Sequence, residues 1–461
     1  MKKPDLTSDV AGIKSPNPFW LASGPPTNSA YQAHRAFEAG WGGVVWKTIG
    51  HNPIVNVSSR YGSIDYDGRK MMGFNNIELI TDRTLDVNLK EIEEIKRSFP
   101  DRAVVVSLMV ESTQEAWHDI VKRVEDTGCD GLELNFGCPH GMSERGMGSA
   151  VGQVPEYTQM VTEWVKEVAR TPVLVKLTPN VTDVRYIGRA AAQGGADGIA
   201  LINTINSLMG IDLDTLAPSP HVGGKGSHGG YCGPAVKPIA LNMVQQISAD
   251  QEIGLPVSGI GGIQAWQDAV EFILLGASNV QVCTAAMHYG FRIVEQLIAG
   301  LENWMMDKKF TNIEQFRGLS VPKIGQWADL DLSYKVVAEI EQSACIHCGL
   351  CYIACEDGAH QSIDILPLTD VEFSESNDLS MAVLMSAGKE IISGVGGGVI
   401  NRFEINQTTC VGCNLCSLVC PVSDCITMVE KPGPFESITW REYQDRLSRG
   451  EMEEITPPSH K

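Results

Sequence analysis

Apolar and polar positions along the chain fall into two alternating patterns. Short apolar runs occur at Phe19–Ser23, Val44–Lys47, Val104–Leu108, Leu132–Phe136, Val173–Leu177, Gly198–Ile202, Val257–Ile260 and Val280–Val282, each about as long as a buried strand. Segments with the period of amphipathic helices lie between most of them, among them Thr113–Thr127, Glu156–Arg170, Asp183–Gln193, Ala235–Ser248 and Gln264–Leu275. Alternating strand and helix predict a parallel sheet flanked by helices, an α/β fold. Eight such units predict closure into a (β/α)8 TIM barrel. Lys47, Asn135, Cys138, Lys176, Asn203, Gly261 and Cys283 follow the C-terminal ends of the runs, the side on which closed barrels and open α/β sheets both bind ligands.

After about residue 300 the pattern loosens. We read a barrel over 1–300, a charged connector over 301–337, a second module over 338–430 and a C-terminal tail over 431–461. Within the second module, residues 374–405 include Gly394 and Gly396 to Gly398 and read as a flexible insertion. A chain of 461 residues is long enough for both domains. Its net charge of −20 argues against a nucleic-acid or anionic-membrane partner, which needs clustered Lys and Arg. No apolar stretch is long enough to span a bilayer, and the first ten residues turn polar directly after two lysines, with no apolar signal segment. Thirteen cysteines in such a chain point to metal ligation or catalysis in a reducing cytoplasm, not to disulfides.

Cys345, Cys348, Cys351 and Cys355 form the run C-x2-C-x2-C-x3-C, and Cys410, Cys413, Cys416 and Cys420 repeat it, with Pro421 directly after. In that spacing three thiolates of each run wrap one [4Fe–4S] cubane and the fourth crosses to the other. One cluster is therefore expected on Cys345, Cys348, Cys351 and Cys420, and a second on Cys410, Cys413, Cys416 and Cys355, in a ferredoxin-like domain. Zinc sites also use C-x2-C, but the doubled four-cysteine run favours clusters. Cys129 and Cys425 fall outside these patterns and read as packing residues.

Val44–Thr48, Asn76–Ile80, Asn135–Gly141, Lys176–Asn180, Asn203–Thr204, Gly259–Gly262 and Gln281–Thr284 together resemble the dihydroorotate dehydrogenase superfamily. More closely, they resemble the pyrimidine-reducing end of dihydropyrimidine dehydrogenases, including a bacterial subunit that pairs with a separate flavoprotein. The resemblance covers nearly the whole chain and implies FMN in the barrel. It implies that Lys176 lies near flavin N1 and the C2 carbonyl, where an ammonium stabilises the anionic reduced ring, and that Lys47 and Thr48 also line the flavin. Ser23, Gly24, Cys232 and Gly233 are further flavin contacts implied in this way. Gly261–Gly262 and Cys283–Thr284 end the last two strands, where barrels bind phosphate through backbone N–H groups. The FMN phosphate is expected there.

The resemblance also makes Cys138 the catalytic acid, in a loop through His140 and Met147 that carries enough glycine to open and close. A thiol, with an ordinary pKa of about 8.5, holds its proton at neutral pH. Asn76, Asn135, Asn203 and Thr204 correspond to substrate-binding positions, and carboxamides suit a cyclic imide because each offers a donor and an acceptor. Glu78 either binds substrate or orients Asn76, and His140 reads as an orienting residue.

A G-x-G-x-x-G string at Gly224–Gly229 follows no strand and opens no helix, so it is not read as a dinucleotide site. Electrons from NAD(P)H are therefore expected to enter through an FAD-binding iron–sulfur partner subunit in a hetero-oligomer. The expected function is reduction of uracil or thymine. Dihydroorotate or another cyclic amide is the alternative substrate class, and an electron-transfer module with a non-catalytic barrel is the alternative role.

Overall fold

The computed structural model describes residues 3–66, 69–139, 142, 145–358, 360–367 and 401–455. The chain forms two compact units, Met1–Ile324 and Gly325–Lys461. The first is a closed barrel of eight parallel strands: β1 (Phe19–Leu21), β2 (Gly43–Ile49), β3 (Ala103–Leu108), β4 (Gly131–Asn135), β5 (Val173–Lys176), β6 (Gly198–Leu201), β7 (Val257–Ile260) and β8 (Ala277–Val282). Closure is made by β8 on β1, with Val280 opposite Phe19 and Val282 opposite Leu21. The eight strands and five helices expected from periodicity are all present, with ends displaced by a few residues.

Because both faces of these strands are covered, the runs are mostly apolar and not alternating, with buried polar residues such as Ser107, Glu133, Ser258, Asn279 and Gln281 among them. Residues facing the helices join Phe37, Trp41, Trp117, Val161 and Phe272 in one core. Residues facing inward at the N-terminal end, including Trp20, Val45, Val105 and Leu174, pack with Val10 and Ile13. Those two come from an antiparallel hairpin of Ser8–Val10 with Ile13–Ser15, which closes that end. The connector read at 301–337 is divided by the structure. Leu301, Met305, Ile313 and Phe316 are part of the barrel core, because the helix Ile293–Lys308 continues past the expected boundary.

At the C-terminal end, four segments outside the barrel form an antiparallel sheet in the order Ile205–Ser207, Gly229–Cys232, Arg69–Asn76, Tyr61–Tyr66. Gly230 pairs with Asn76, and Cys232 with Phe74. This sheet joins the excursion after β2 to that after β6. The glycine-rich string Gly224–Gly229 leads into one of its strands and into no helix.

The second unit repeats a strand–loop–helix–strand plan. Lys335–Ile340, the helix Leu350–Gly358 and Ile363–Pro367 make one half; Asn401–Ile405, the helix Leu415–Val419 and Ile426–Lys431 make the other. The halves exchange strands, with Lys335 opposite Lys431 and Ile363 opposite Ile405. Asn401–Ile405 therefore belongs to the folded unit and corrects the reading of 374–405 as all insertion; residues 374–400 lie outside the described residues. Phe403, buried against the cysteines, is the reason this segment is held. The tail is likewise not featureless, since Trp440–Ser448 is a helix capped by Thr439 and Glu442.

Candidate active site and thiol-lined cavities

Every barrel residue expected to bind flavin or substrate, together with Cys138, lines one cleft at the C-terminal mouth, about 1190 Å³ of atom-free space that includes open solvent. Strand ends and the loops after them bring Ser23 and Gly24 from β1, Lys47 and Thr48 from β2, and Asn135 and Cys138 from β4. Lys176 comes from β5, Asn203 and Thr204 follow β6, Gly261 and Gly262 follow β7, and Cys283 and Thr284 follow β8. The covering sheet and its flanks add Asn76, Glu78, Cys232 and Gly233.

The two lysines are only 4% and 5% exposed, and each has a buried carboxylate partner. Lys47 bonds Glu78, which also accepts from Tyr61 and lies 3.6 Å from Arg60. Lys176 Nζ lies 3.4 Å from Glu133 Oε1. Buried ammonium groups survive when paired in this way. Burial and the bond to Glu78 hold the Tyr61 phenol above its ordinary range.

The carboxamides form a ladder across the mouth. Asn203 Nδ2 donates to Asn135 Oδ1 (2.9 Å), and Asn135 Nδ2 donates to Thr48 Oγ1 (2.9 Å). Thr48 Oγ1 lies 2.9 Å from Ser107 Oγ and 3.1 Å from Ser23 Oγ. The Thr204 N–H donates to Asn203 Oδ1 (2.9 Å), and Asn76 Nδ2 to the Gly230 carbonyl (3.3 Å). Asn203 and Asn135 are each tied through both Nδ2 and Oδ1, so the amides are oriented before any ligand arrives, and each Nδ2 keeps a second N–H.

Cys138 is 8% exposed, against Ile80, Met109, Met142 and Met147. Its carbonyl accepts from the Ser149 N–H (3.0 Å). His140 and Gly141 lie outside the described residues. Two further thiols face the cleft. Burial pushes Cys232 up to about 11 and Cys283 up to about 12, so both stay neutral thiols near pH 7. Gly262, at φ +75°, could not carry a side chain: a Cβ would stand 2.8 Å from that of Lys237 and 3.0 Å from the Gly233 carbonyl. The loop after β7 can press this closely on its neighbours only as glycine.

Tyr61, Phe74, Tyr231 and Gln281 also line the cleft and were not singled out from the sequence. Phe74 stacks on Tyr61 (centroids 5.1 Å) and meets His288 edge-on (5.3 Å). The dipeptide Asp67-Gly68 between mixed runs is a hairpin signal that would have drawn attention to Tyr61–Asn76.

In the second unit Cys345, Cys348, Cys351 and Cys420 line one cavity, and Cys355, Cys410, Cys413 and Cys416 line another. Each therefore draws its fourth thiol from the other run. The two loops share a backbone pattern, with φ +57° at His347 and +70° at Gly412, then +75° at Gly349 and +67° at Asn414. That alternation curls each loop around its cavity and turns N–H groups inward. The His347 N–H lies 3.4 Å from Cys345 Sγ, and that of Ser362 3.3 Å from Cys355 Sγ. Among the described residues no three His, Cys, Asp or Glu side chains converge on a single metal ion. Four cysteines of the doubled run line each cavity, the donor set of a cubane, and Cys425 adds a fifth thiol to the wall of the first.

Thiol-ringed cavities suited to iron–sulfur cargo, in one chain with a barrel cleft holding paired lysines, serve electron traffic, and the class so defined is an oxidoreductase. Residues 5–305 match the family model described as dihydroorotate dehydrogenase, and residues 344–425 match a 4Fe-4S dicluster domain. The chain is 42% identical over 361 residues to the NAD-dependent dihydropyrimidine dehydrogenase subunit PreA of Escherichia coli (strain K12), covering 78% of this chain and 87% of that one. It is 43% identical over 348 residues to the chloroplastic dihydropyrimidine dehydrogenase (NADP(+)) of Arabidopsis thaliana, covering 73% and 82%. A dihydroorotate dehydrogenase structure from Eimeria tenella, solved with ferulenol, shares the fold at TM-score 0.56 and 20% identity over 68% of this chain and 88% of that one. This chain belongs to the dihydroorotate dehydrogenase family of flavin oxidoreductases, with an iron–sulfur dicluster domain following its barrel.

Among the described residues no helix is long and apolar enough to cross a membrane.

Proposed function

We propose that this chain is the pyrimidine-reducing subunit of a cytoplasmic, hetero-oligomeric dihydropyrimidine dehydrogenase, converting uracil or thymine to the 5,6-dihydropyrimidine. The observation that carries the reading is the meeting of Cys138, the Asn135–Asn203 ladder and the two paired lysines in one cleft, in a chain whose relatives bear that enzyme's name. FMN in the cleft, when bound, supplies hydride to one ring carbon. The thiol-lined cavities of the second unit would hold two [4Fe–4S] clusters, which would supply electrons to the cleft from an FAD- and NAD(P)H-binding partner.

The residues divide the remaining work. Lys176 and Lys47 hold the flavin ring, with Thr48, Ser23, Gly24, Cys232 and Gly233 around it, and Gly261, Gly262, Cys283 and Thr284 take its phosphate. The chemistry fits, since two buried ammoniums suit a ring that gains negative charge on reduction. Asn76, Asn135, Asn203 and Thr204 hold the imide by paired donors and acceptors, and Glu78 orients Lys47. The apolar residues around Cys138 exclude water and keep its proton on sulfur until the ring carbon beside the carbonyl takes it. Each cluster has four thiolates, Cys345, Cys348, Cys351 and Cys420 for one and Cys355, Cys410, Cys413 and Cys416 for the other, with backbone N–H groups at 3.3–3.4 Å from two of the sulfurs.

The test is to photoreduce the reconstituted chain without oxygen, add uracil, thymine or orotate, and follow reoxidation of the flavin. Fast reoxidation by uracil and thymine is expected. Reoxidation by orotate alone would move the chain to the orotate branch of its family, and a chain that binds no flavin would leave the barrel without a catalytic role. Co-purification should recover an FAD-binding partner that confers NAD(P)H-dependent uracil reduction.

A further inference from the structure

The mid-barrel layer below the cleft holds a group that the reaction above does not use. Glu133, in β4, is fully buried with its side chain inside the barrel. Gln281 Nε2, from β8, donates to its Oε2 (3.2 Å) and also to Ser258 Oγ of β7 (2.9 Å). Glu133 Oε1 has no hydrogen-bond partner but faces Lys176 Nζ at 3.4 Å. A carboxylate taken wholly out of water costs several kcal/mol unless a cation offsets it. Lys176 reaches it from the neighbouring strand, where Asn135 of β4 pairs with Lys176 of β5. The lysine thus lies between a fixed negative charge below and the cleft above.

Resting on the reading that a flavin occupies the cleft, we propose that Glu133 is a positioning residue for Lys176. Anchored by Gln281, which Ser258 holds in turn, its carboxylate keeps the Lys176 ammonium aimed at the cleft and cancels part of the field that the ammonium sends there. Glu133 thereby sets the reduction potential of the flavin. A bare ammonium would favour the reduced anionic ring more strongly; the carboxylate beneath keeps the ring a competent hydride donor.

Two measurements test this on the full chain. The flavin midpoint potential, followed by flavin fluorescence, should rise in Glu133→Gln, which keeps the shape and removes the charge. A shift of the reduced-to-oxidised ratio of at least about tenfold toward reduced flavin is expected, about 30 mV for a two-electron couple. An unchanged potential would make Glu133 a packing residue and overturn the proposal. The second measurement needs no flavin and is a denaturation cycle on Glu133→Gln, Lys176→Met and the double variant. Lys176→Met strands the carboxylate and should lower the unfolding midpoint strongly. Adding Glu133→Gln should restore much of that loss, and recovery of folded double variant where Lys176→Met alone fails to fold would support the pair equally. Strictly additive losses would overturn it. A wild-type chain that takes up no flavin would instead defeat the reading of the cleft, while the cycle would still report on the pair.

Discussion

The two units bury different things. The barrel unit encloses a main core of branched aliphatics and aromatics that includes Cys129, and its site lies at the mouth of that scaffold. In the second unit four of the eight residues of the buried cluster are cysteines, Cys351, Cys355, Cys416 and Cys425, and all four also line the thiol-ringed cavities. There the binding site is most of the core. A small module with so little apolar burial depends on what it binds, whereas a large barrel does not. The barrel can therefore vary the residues at its mouth cheaply, and the thiol unit cannot vary its ligands at all.

The largest expected effect breaks the comparison at its weaker side. Stripping iron with a chelator and mild oxidant should unfold the unit beginning near Gly325 and leave the barrel folded. Limited proteolysis should then yield a resistant fragment ending near Ile324. An iron-free chain that stays resistant beyond that point would mean that the second unit has a sufficient core of its own.

Next in size is the chemistry at the barrel mouth. Cys138→Ala should lower uracil turnover by about 10²–10⁴-fold, the range of a lost general acid, with flavin content and the unfolding midpoint little changed. Cys138→Ser should fall less far below wild type. An alanine variant as fast as wild type at pH 7 would remove Cys138 from the reaction.

The smallest effect sharpens the difference in what cysteine does in each unit. Cys129 is held in the barrel wall with its Sγ 3.7 Å from the Val124 carbonyl, and burial pushes its thiol above the ordinary thiol range, up to about 12. Because the folded value is the higher, the stability this thiol contributes is complete below pH 9 and is lost as pH rises from 9 toward 12. Between pH 9 and 10 the wild type should lose about 1 kcal/mol more than Cys129→Ala, measured by urea denaturation at each pH. Parallel slopes for the two proteins would mean that Cys129 ionises freely.

Much of the fold was legible because its signals are local. Each barrel strand is a short apolar run bounded by polar residues, and the cysteine runs carry their cargo in their spacing. Boundaries were less legible. The helix Ile293–Lys308 runs on into the expected connector, and Asn401–Ile405 joins a sheet because Phe403 finds a buried place beside the cysteines. Glu133 was passed over because, in sequence, it is one polar residue within an apolar strand. Only the closed barrel brings Gln281, Ser258 and Lys176 around it.

By itself, then, the order of residues determined the α/β barrel, its catalytic end, the doubled cysteine module and the polar residues that gather at one mouth, since these follow from periodicity and from motifs a few residues long. Tertiary structure alone decided which carboxylate serves which lysine and that Tyr61, Phe74 and Tyr231 wall the cleft. Those contacts join residues far apart in the chain, such as Phe74 opposite Cys232, and no local pattern encodes a distance that only the closure of the barrel and the pairing of its loops create.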